Sequence, residues 1–444
     1  MPSPDPWTVP DGGPGGDPVR RVTDHLFRHE SGKMVSILTG TFGIRRLQMA
    51  EDVVQEALVR AMKTWPYYGI PEKPAAWLLR TAKNLAIDQL RRETNFREKQ
   101  PEIVASVEQG MGGTRRGDPS DEIDGVGDEH LRLMFVCCHP ILPQEIQSAL
   151  ALKTLCGFSP AEIARGFLIS EAAVAKRLTR ARQRIQAEGI PFEIPSGPEL
   201  PARLGGVLQT LYLLFNEGYK ASAGDEMVRA DLCAEAIRLG TLLAEHPAGN
   251  QPPTHALLAL MLLAASRLPA RMDAEGNLLR LEDQDRSRWD RAMIQRGIKH
   301  LAASAGGDAL TGYHLEAGIA ACHGLAADDA STDWPQILSL YDRLMECSAS
   351  PFVALNRAVA VAKVHGAEAG IRAVAEISDR ERLEEYHLLH AVLGELESRR
   401  GCYSEAAGHF RRALGRAETR PERTFLAKRL EDCLEDCLES GAGS

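Results

Sequence analysis

The spacing of apolar positions along the first 190 residues is helical. A first helix is predicted from about Val19 to Thr39 and a second from Ala50 to Thr64. In the second, Val54, Leu58 and Ala61 recur four and three residues apart, which places them on one inward stripe, while Asp52, Gln55, Glu56 and Arg60 flank or oppose it. A third helix is predicted from Pro74 to about Glu93, with Trp77, Leu78, Ala82, Leu85 and Ala86 as its buried arc. Arg80, Lys83, Asn84 and Arg91 share another arc, and Arg92 and Arg97 lie just beyond. Between these helices, Trp65 to Lys73 holds two prolines, one glycine and three aromatics in nine residues. Such a loop is held in shape. Its rings Trp65, Tyr67 and Tyr68 either plug the core or offer flat faces to unstacked bases, worth ~1–3 kcal/mol per base.

Residues 100–127 are Gly-rich, acidic and without periodicity, and read as a flexible linker. Helices from Leu131 to Cys138 and from Pro143 to Leu155 follow. Phe158 to Ala187 then reads as two helices around a tight turn. Ser159 and Glu162 form an S-x-x-E capping box, Pro160 takes the first helical position, and Ser170 is the second N-cap. Small Ala164 suits a close helix crossing, whereas Leu168 stands where such turns usually carry glycine. Left-handed geometry there would cost roughly 1 kcal/mol, so either the turn has another shape or packing offsets the strain. On the last helix Val174, Leu178, Ala181 and Ile185 form one narrow seam. Ala173, Lys176, Arg177, Arg180 and Arg184 gather on another face. A short helix, a turn and a longer helix with one apolar and one cationic face is the layout of a DNA-reading helix-turn-helix; the competing reading is a solvated surface helix. A second cationic helix directly after an aromatic loop favours the first.

Composition changes this picture in three ways. With 44% apolar and 5% aromatic residues in a chain of 444 rich in Ala and Leu, the expectation is a largely helical protein of two or three domains. No apolar run approaches the ~18–20 residues that span a bilayer, and the Pro/Gly-rich start lacks a signal-peptide core, so a cytoplasmic location is expected. The net charge of −9 divides unevenly: residues 1–195 are balanced, and the remainder carries 27 basic against 36 acidic residues. Within the first part, residues 98–129 are net −6, which leaves the rest of that part net +6. The nine cysteines contain no C-x-x-C, and Cys137, Cys138 and His139 cannot all reach one metal from successive positions, so no metal or cofactor is expected. No P-loop, H-E-x-x-H or nucleophile motif occurs, and no enzymatic role is expected.

Three motifs resemble one family in the right order. Glu51 to Ala61, EDVVQEALVRA, resembles the polymerase-clamp-binding helix, region 2.2, of sigma-70 family transcription initiation factors. Ala76 to Arg92 resembles region 2.4 of the small extracytoplasmic-function sigma factors, and Ser159 to Ile185 their region 4.2. The resemblance covers about residues 19–190. It implies a promoter-specificity subunit that binds core RNA polymerase, through the β′ clamp and β flap, and promoter DNA. Asp52, Gln55, Glu56 and Arg60 would face the clamp. Trp65, Tyr67, Tyr68, Arg80, Lys83, Asn84 and Arg91 would melt and hold the −10 element. Ala173, Lys176, Arg177, Arg180 and Arg184 would enter the −35 major groove. The alternative is a helix-turn-helix regulator that acts without polymerase and carries a protein-binding repeat domain.

The implied fold is all-α: a disordered tail (1–18), a sigma region 2 bundle (19–97), an acidic Gly-rich linker (98–127), a sigma region 4 helix-turn-helix (128–190) and a tetratricopeptide-like α-solenoid (196–444). In the extension Leu393-Gly394, Gly401, Tyr403, Ala406, Phe410 and Ala413 sit at that repeat's offsets, while Val353 to Ile377 keeps only helix-pair length. Met272 to Leu281, around Gly276, is expected to be a short hairpin or loop. A subgroup of these sigma factors carries such an extension, and two runs resemble its signatures: Met134 to Pro140 and Leu214 to Tyr219. Asp283 to Trp289 is a third polar cluster. These clusters serve either as interhelix hydrogen bonds and caps or as a docking site for a protein or small ligand.

Overall fold

The computed structural model describes residues 18–96, 127–166, 169–219, 230–274, 277–307 and 310–442. The predicted tail and acidic linker lie almost wholly outside these residues, as does Leu168 with its turn. Every long element described is an α-helix; the one extended pairing among the described residues is an antiparallel bridge from Met272 to Leu278. That bridge falls where the short hairpin was expected.

Contacts divide the chain into two units, residues 1–164 with 169–195, and residues 196–444 with 165–168. The first holds α1 (Pro18–Phe42), α2 (Leu47–Tyr68), α3 (Pro74–Phe96), α4 (Gly127–Cys137), α5 (Gln144–Thr154), α6 (Pro160–Gly166) and α7 (Glu171–Glu188). Helices α1, α2 and α3 pack on one another, and α1 also packs on α4 and α5. Val54, Leu58 and Ala61 are buried as their spacing predicts, and so are Leu78, Ala82 and Ala86 of α3. One boundary differs from the expectation. Helix α2 continues through Pro66 to Tyr68, so the connection to α3 is only Gly69 to Lys73. A proline and the residue before it both disfavour this. Burial of the Trp65 ring, 3% exposed, offsets the cost, and the helix stops at Gly69, whose φ of 83° suits glycine.

The second unit contains α8 (Leu200–Tyr219), α9 (Ala230–Glu245), α10 (Pro252–Ala265), α11 (Arg291–Ala303), α12 (Gly312–Leu325), α13 (Trp334–Cys347), α14 (Pro351–His365), α15 (Ala367–Ala375), α16 (His387–Arg399), α17 (Tyr403–Arg416) and α18 (Arg420–Ala442). Most pack on their neighbours in sequence, while α12 packs on α10 more than on α11. The repeat-like residues meet where α16 crosses α17: Ala406, Phe410 and Ala413 are fully buried. A Cβ on Gly394 would lie 3.0 Å from the Phe410 ring, so a larger residue there would require the ring to give by a few tenths of an ångström.

Candidate nucleic-acid and polymerase interface

The helix-turn-helix is built by the caps that its sequence announces. The Ser159 amide donates to Glu162 Oε2 at 2.8 Å, and the Glu162 amide donates to Ser159 Oγ at 3.2 Å. Ser170 Oγ accepts from the Ala173 amide at 3.2 Å, opening α7. Val174, Leu178, Ala181 and Ile185 are all buried in α7, which packs on α5. Lys176, Arg180 and Arg184 are exposed, and Ala173 is half-buried. Arg177 departs from the group, because its guanidinium lies 3.2 Å from Glu145 at the start of α5.

The second cationic face is on α3. Arg80, Asn84 and Arg91 are exposed there and Lys83 is half-buried. The three aromatics that precede it separate into two roles. Trp65 is a core residue, edge-on to Trp77 with ring centroids 5.5 Å apart, and so takes the core-plugging reading. Tyr67 and Tyr68 are 84% and 88% exposed at the end of α2, which core packing does not require. On the outer face of α2, Asp52, Gln55, Glu56 and Arg60 are exposed, with Arg60 3.3 Å from Glu56.

A contact that sequence reasoning did not single out lies on the other side of α2. Glu51 is 5% exposed, and its carboxylate takes two partners from far along the chain. Arg182 of α7 lies 2.6 Å from Oε2, and Thr154 of α5 donates to Oε1 at 2.7 Å. Beside it, partial desolvation holds the Asp52 carboxyl above its ordinary range, against the pull of Arg182 and Lys153. Burial likewise lowers the Lys153 ammonium, against the attraction of Glu51 and Asp52. Cys137, Cys138 and Cys156 are buried free thiols, and burial pushes Cys137 well above the usual range. An inert structural thiol has that character.

In the second unit the Leu214–Tyr219 run and the Asp283–Trp289 cluster converge. Phe215 stacks on Tyr219, Arg267 bonds the Tyr219 hydroxyl, and Arg271 bonds its carbonyl while lying 4.1 Å over its ring. Arg267 is 5.8 Å from the rings of both Tyr219 and Trp289, joining the Leu214–Tyr219 run to Asp283–Trp289. Arg286 donates to the carbonyls of His323 and Ala326 and to Thr332 Oγ1 at 2.9–3.0 Å. These are interhelix bonds of the kind that fix a register. Elsewhere a cavity of about 270 Å³ opens between α14, α16 and α17, floored by Trp334, Leu396 and Phe410. Its rim charges are already paired: Glu282 contacts Arg280, Lys363 and Arg399. Among the described residues no group of three or more His, Cys, Asp or Glu side chains could hold a metal, and no helix is long and apolar enough to cross a membrane.

Two cationic helix faces, one behind exposed tyrosines and one in a capped helix-turn-helix, suit the sigma-70 resemblance seen in the sequence. Comparison with known proteins agrees. Sigma-70 region 2 matches residues 26–96, Sigma-70 region 4 matches 132–185, and a family of unknown function (DUF6596) matches 203–305. An uncharacterized protein of Rhizobium meliloti (strain 1021) is 42% identical over 391 residues, covering 87% of this chain and 90% of its own length. The ECF RNA polymerase sigma factor SigL of Mycobacterium tuberculosis is 35% identical over 130 residues, covering 29% of this chain and 68% of its own. SigW of Bacillus subtilis (strain 168), another ECF RNA polymerase sigma factor, is 29% identical over 147 residues, covering 31% and 74%. No solved structure matches. The chain belongs to the extracytoplasmic-function sigma factors, and carries a helical extension beyond their two shared regions.

Proposed function

We propose that this chain directs core RNA polymerase to promoters with a −10 and a −35 element. The observation that carries the reading is the pair of exposed rings, Tyr67 and Tyr68, immediately before the cationic face of α3. Melted DNA offers unstacked bases and a phosphate backbone, and aromatic faces beside Arg80, Lys83, Asn84 and Arg91 answer both. Trp65 then acts as a support under that surface. On α7, Lys176, Arg180 and Arg184, with Ala173 at the entry, face the −35 major groove, where arginine can bond guanine in a bidentate manner. Arg177 joins them once it leaves Glu145. The exposed carboxylates and amide of α2, with Arg60, dock on the β′ clamp, and the helix-turn-helix unit meets the β flap.

The test is transcription from a genomic library by core polymerase with and without this protein. Discrete new start sites that share −10 and −35 sequences are expected. Site-specific footprints by the protein alone, with no new start sites when core polymerase is present, would instead make it a polymerase-independent regulator.

A further inference from the structure

We infer that the cavity between α14, α16 and α17 is a binding site for a small molecule that is neutral, flat and mainly apolar, about the size of two fused aromatic rings. The inference concerns the second unit alone and stands apart from the promoter reading.

A void lined by apolar atoms costs stability, because its lining lacks contact partners and neighbouring side chains normally relax to fill it. Here about 270 Å³ stays open. Val359 of α14, Val392 and Leu396 of α16, Phe410 of α17 and Phe425 of α18 give it apolar walls. Three long side chains at the rim, Arg280, Lys363 and Arg399, have aliphatic stems that could collapse into the space. Each is held by carboxylates instead. Lys363 donates to Glu282 at 2.9 Å and to Asp329 at 2.8 Å, and lies 5.1 Å over the Trp334 ring. Arg399 reaches both oxygens of Glu282 at 3.0–3.1 Å. Arg280 is fixed by Asp283 at 2.7 Å and by Glu395 at 2.5 Å, and Glu395 also holds Arg429 of α18 at 3.0 Å. Partly buried ion pairs of this kind add little over apolar packing of the same space. What they supply is a mouth of fixed shape.

Size, shape and charge set the ligand. An apolar cavity of about 150 Å³ takes a benzene, and ligand pockets begin at about 300 Å³, so this space suits two fused rings. A single turn of helix with its side chains occupies roughly 400 Å³, so a partner's helix is too large to enter. Trp334, Phe410 and Phe425 offer ring carbon, which packs offset or edge-on against another flat ring. The rim is balanced in charge: Arg280, Lys363 and Arg399 stand against Glu282, Asp329 and Glu395. It therefore favours neither sign. A charged ligand would leave water for groups that already have partners, whereas a neutral one gives up little.

Titration calorimetry on the full-length protein tests this with three probes of similar shape: neutral 2-naphthol, anionic 2-naphthoate and cationic 2-naphthylmethylammonium. One 2-naphthol should bind per chain, and the two charged probes severalfold more weakly. Val359→Phe and Ala391→Leu fill the space from α14 and from α16, and each should abolish binding while circular dichroism and the thermal midpoint show an intact fold. Glu282→Gln, which loosens Lys363 and Arg399, should weaken binding severalfold. Absence of 2-naphthol binding, equal binding of all three probes, or wild-type binding by a folded filling variant each overturns the site. Wild-type affinity in Glu282→Gln overturns the part given to the ion pairs. A tryptophan-bearing amphipathic helical peptide that binds the wild type but not the filling variants, where 2-naphthol fails to bind, makes the cavity a socket for a protein partner and overturns the inference as well. None of these readouts uses polymerase or promoter DNA, so failure here leaves the promoter reading as it stands.

Discussion

At Glu51 a carboxylate sits on the apolar side of its helix, and its environment explains why that is tolerated. A buried charge is kept only if paired and hydrogen-bonded, and stranding one costs about 3–5 kcal/mol. Arg182 and Thr154 supply the pairing. Arg180 is the opposite case, an exposed guanidinium on α7. Arg180→Ala should therefore leave thermal stability unchanged while costing about 1–3 kcal/mol in promoter binding, with relaxed preference at one −35 position. A binding loss that is equal across promoter sequences, with a flattened salt dependence, would make it a phosphate contact instead. The same contrast applies to the tyrosines. Tyr67→Ala or Tyr68→Ala should weaken binding to strand-separated −10 DNA by ~1–3 kcal/mol and leave duplex −35 binding unaffected, as measured on bubble and duplex probes.

Among the elements, α2 carries two functions on two faces. Its inner face folds the bundle, and Glu56 and Arg60 on its outer face serve no core. Glu56→Lys should weaken capture by core polymerase with helicity intact; unchanged capture would remove α2 from the clamp. Glu56 tests this more cleanly than Asp52, which also faces Lys153 and Arg182. The α16–α17 pair makes a different prediction. His409 is held down to about 4, by burial first and then by Arg412, His390 and Arg380. His390 is lowered too, by burial first and then by Arg416 and Arg412, with Glu384 opposing. Their neutral forms are favoured in the fold, so the unfolded chain takes up protons first as pH falls. Stability of the second unit should decline from about pH 6.5 toward about 4, and denaturant midpoints across that range will show it. His409→Gln should flatten the slope.

For the whole molecule the governing quantity is charge. Residues 196–444 are net −9, and the sigma segments outside the acidic linker are net +6. A tether gives such units an effective concentration of order mM, so the extension is expected to mask the cationic faces of the sigma part. Deleting residues 196–444 should raise run-off transcription, most at low salt, where screening is weakest. A truncated protein that folds but transcribes less would mean that the extension is required for activity.

What the sequence determined by itself was local. Helix periods, the Ser159–Glu162 and Ser170 caps, the apolar seam of α7 and the cationic faces of α3 and α7 all depend on neighbours within four residues, and all are found in place. Even Glu51 carried a signal, because it falls in step with Val54, Leu58 and Ala61, and an acid in an apolar stripe calls for a partner. The identity of that partner was not legible. Thr154 lies 103 residues away, and no periodicity links it to Glu51. Tertiary packing alone decided that Trp65 is core, edge-on to Trp77, while Tyr67 and Tyr68 beyond Pro66 are surface. It also decided that Arg177 rests on Glu145, and that Arg267 joins the Leu214–Tyr219 run to the polar cluster at Asp283–Trp289, with Tyr219 and Trp289 70 residues apart in the sequence. Burial and long-range charge pairing are properties of the folded chain, and only the fold could assign them.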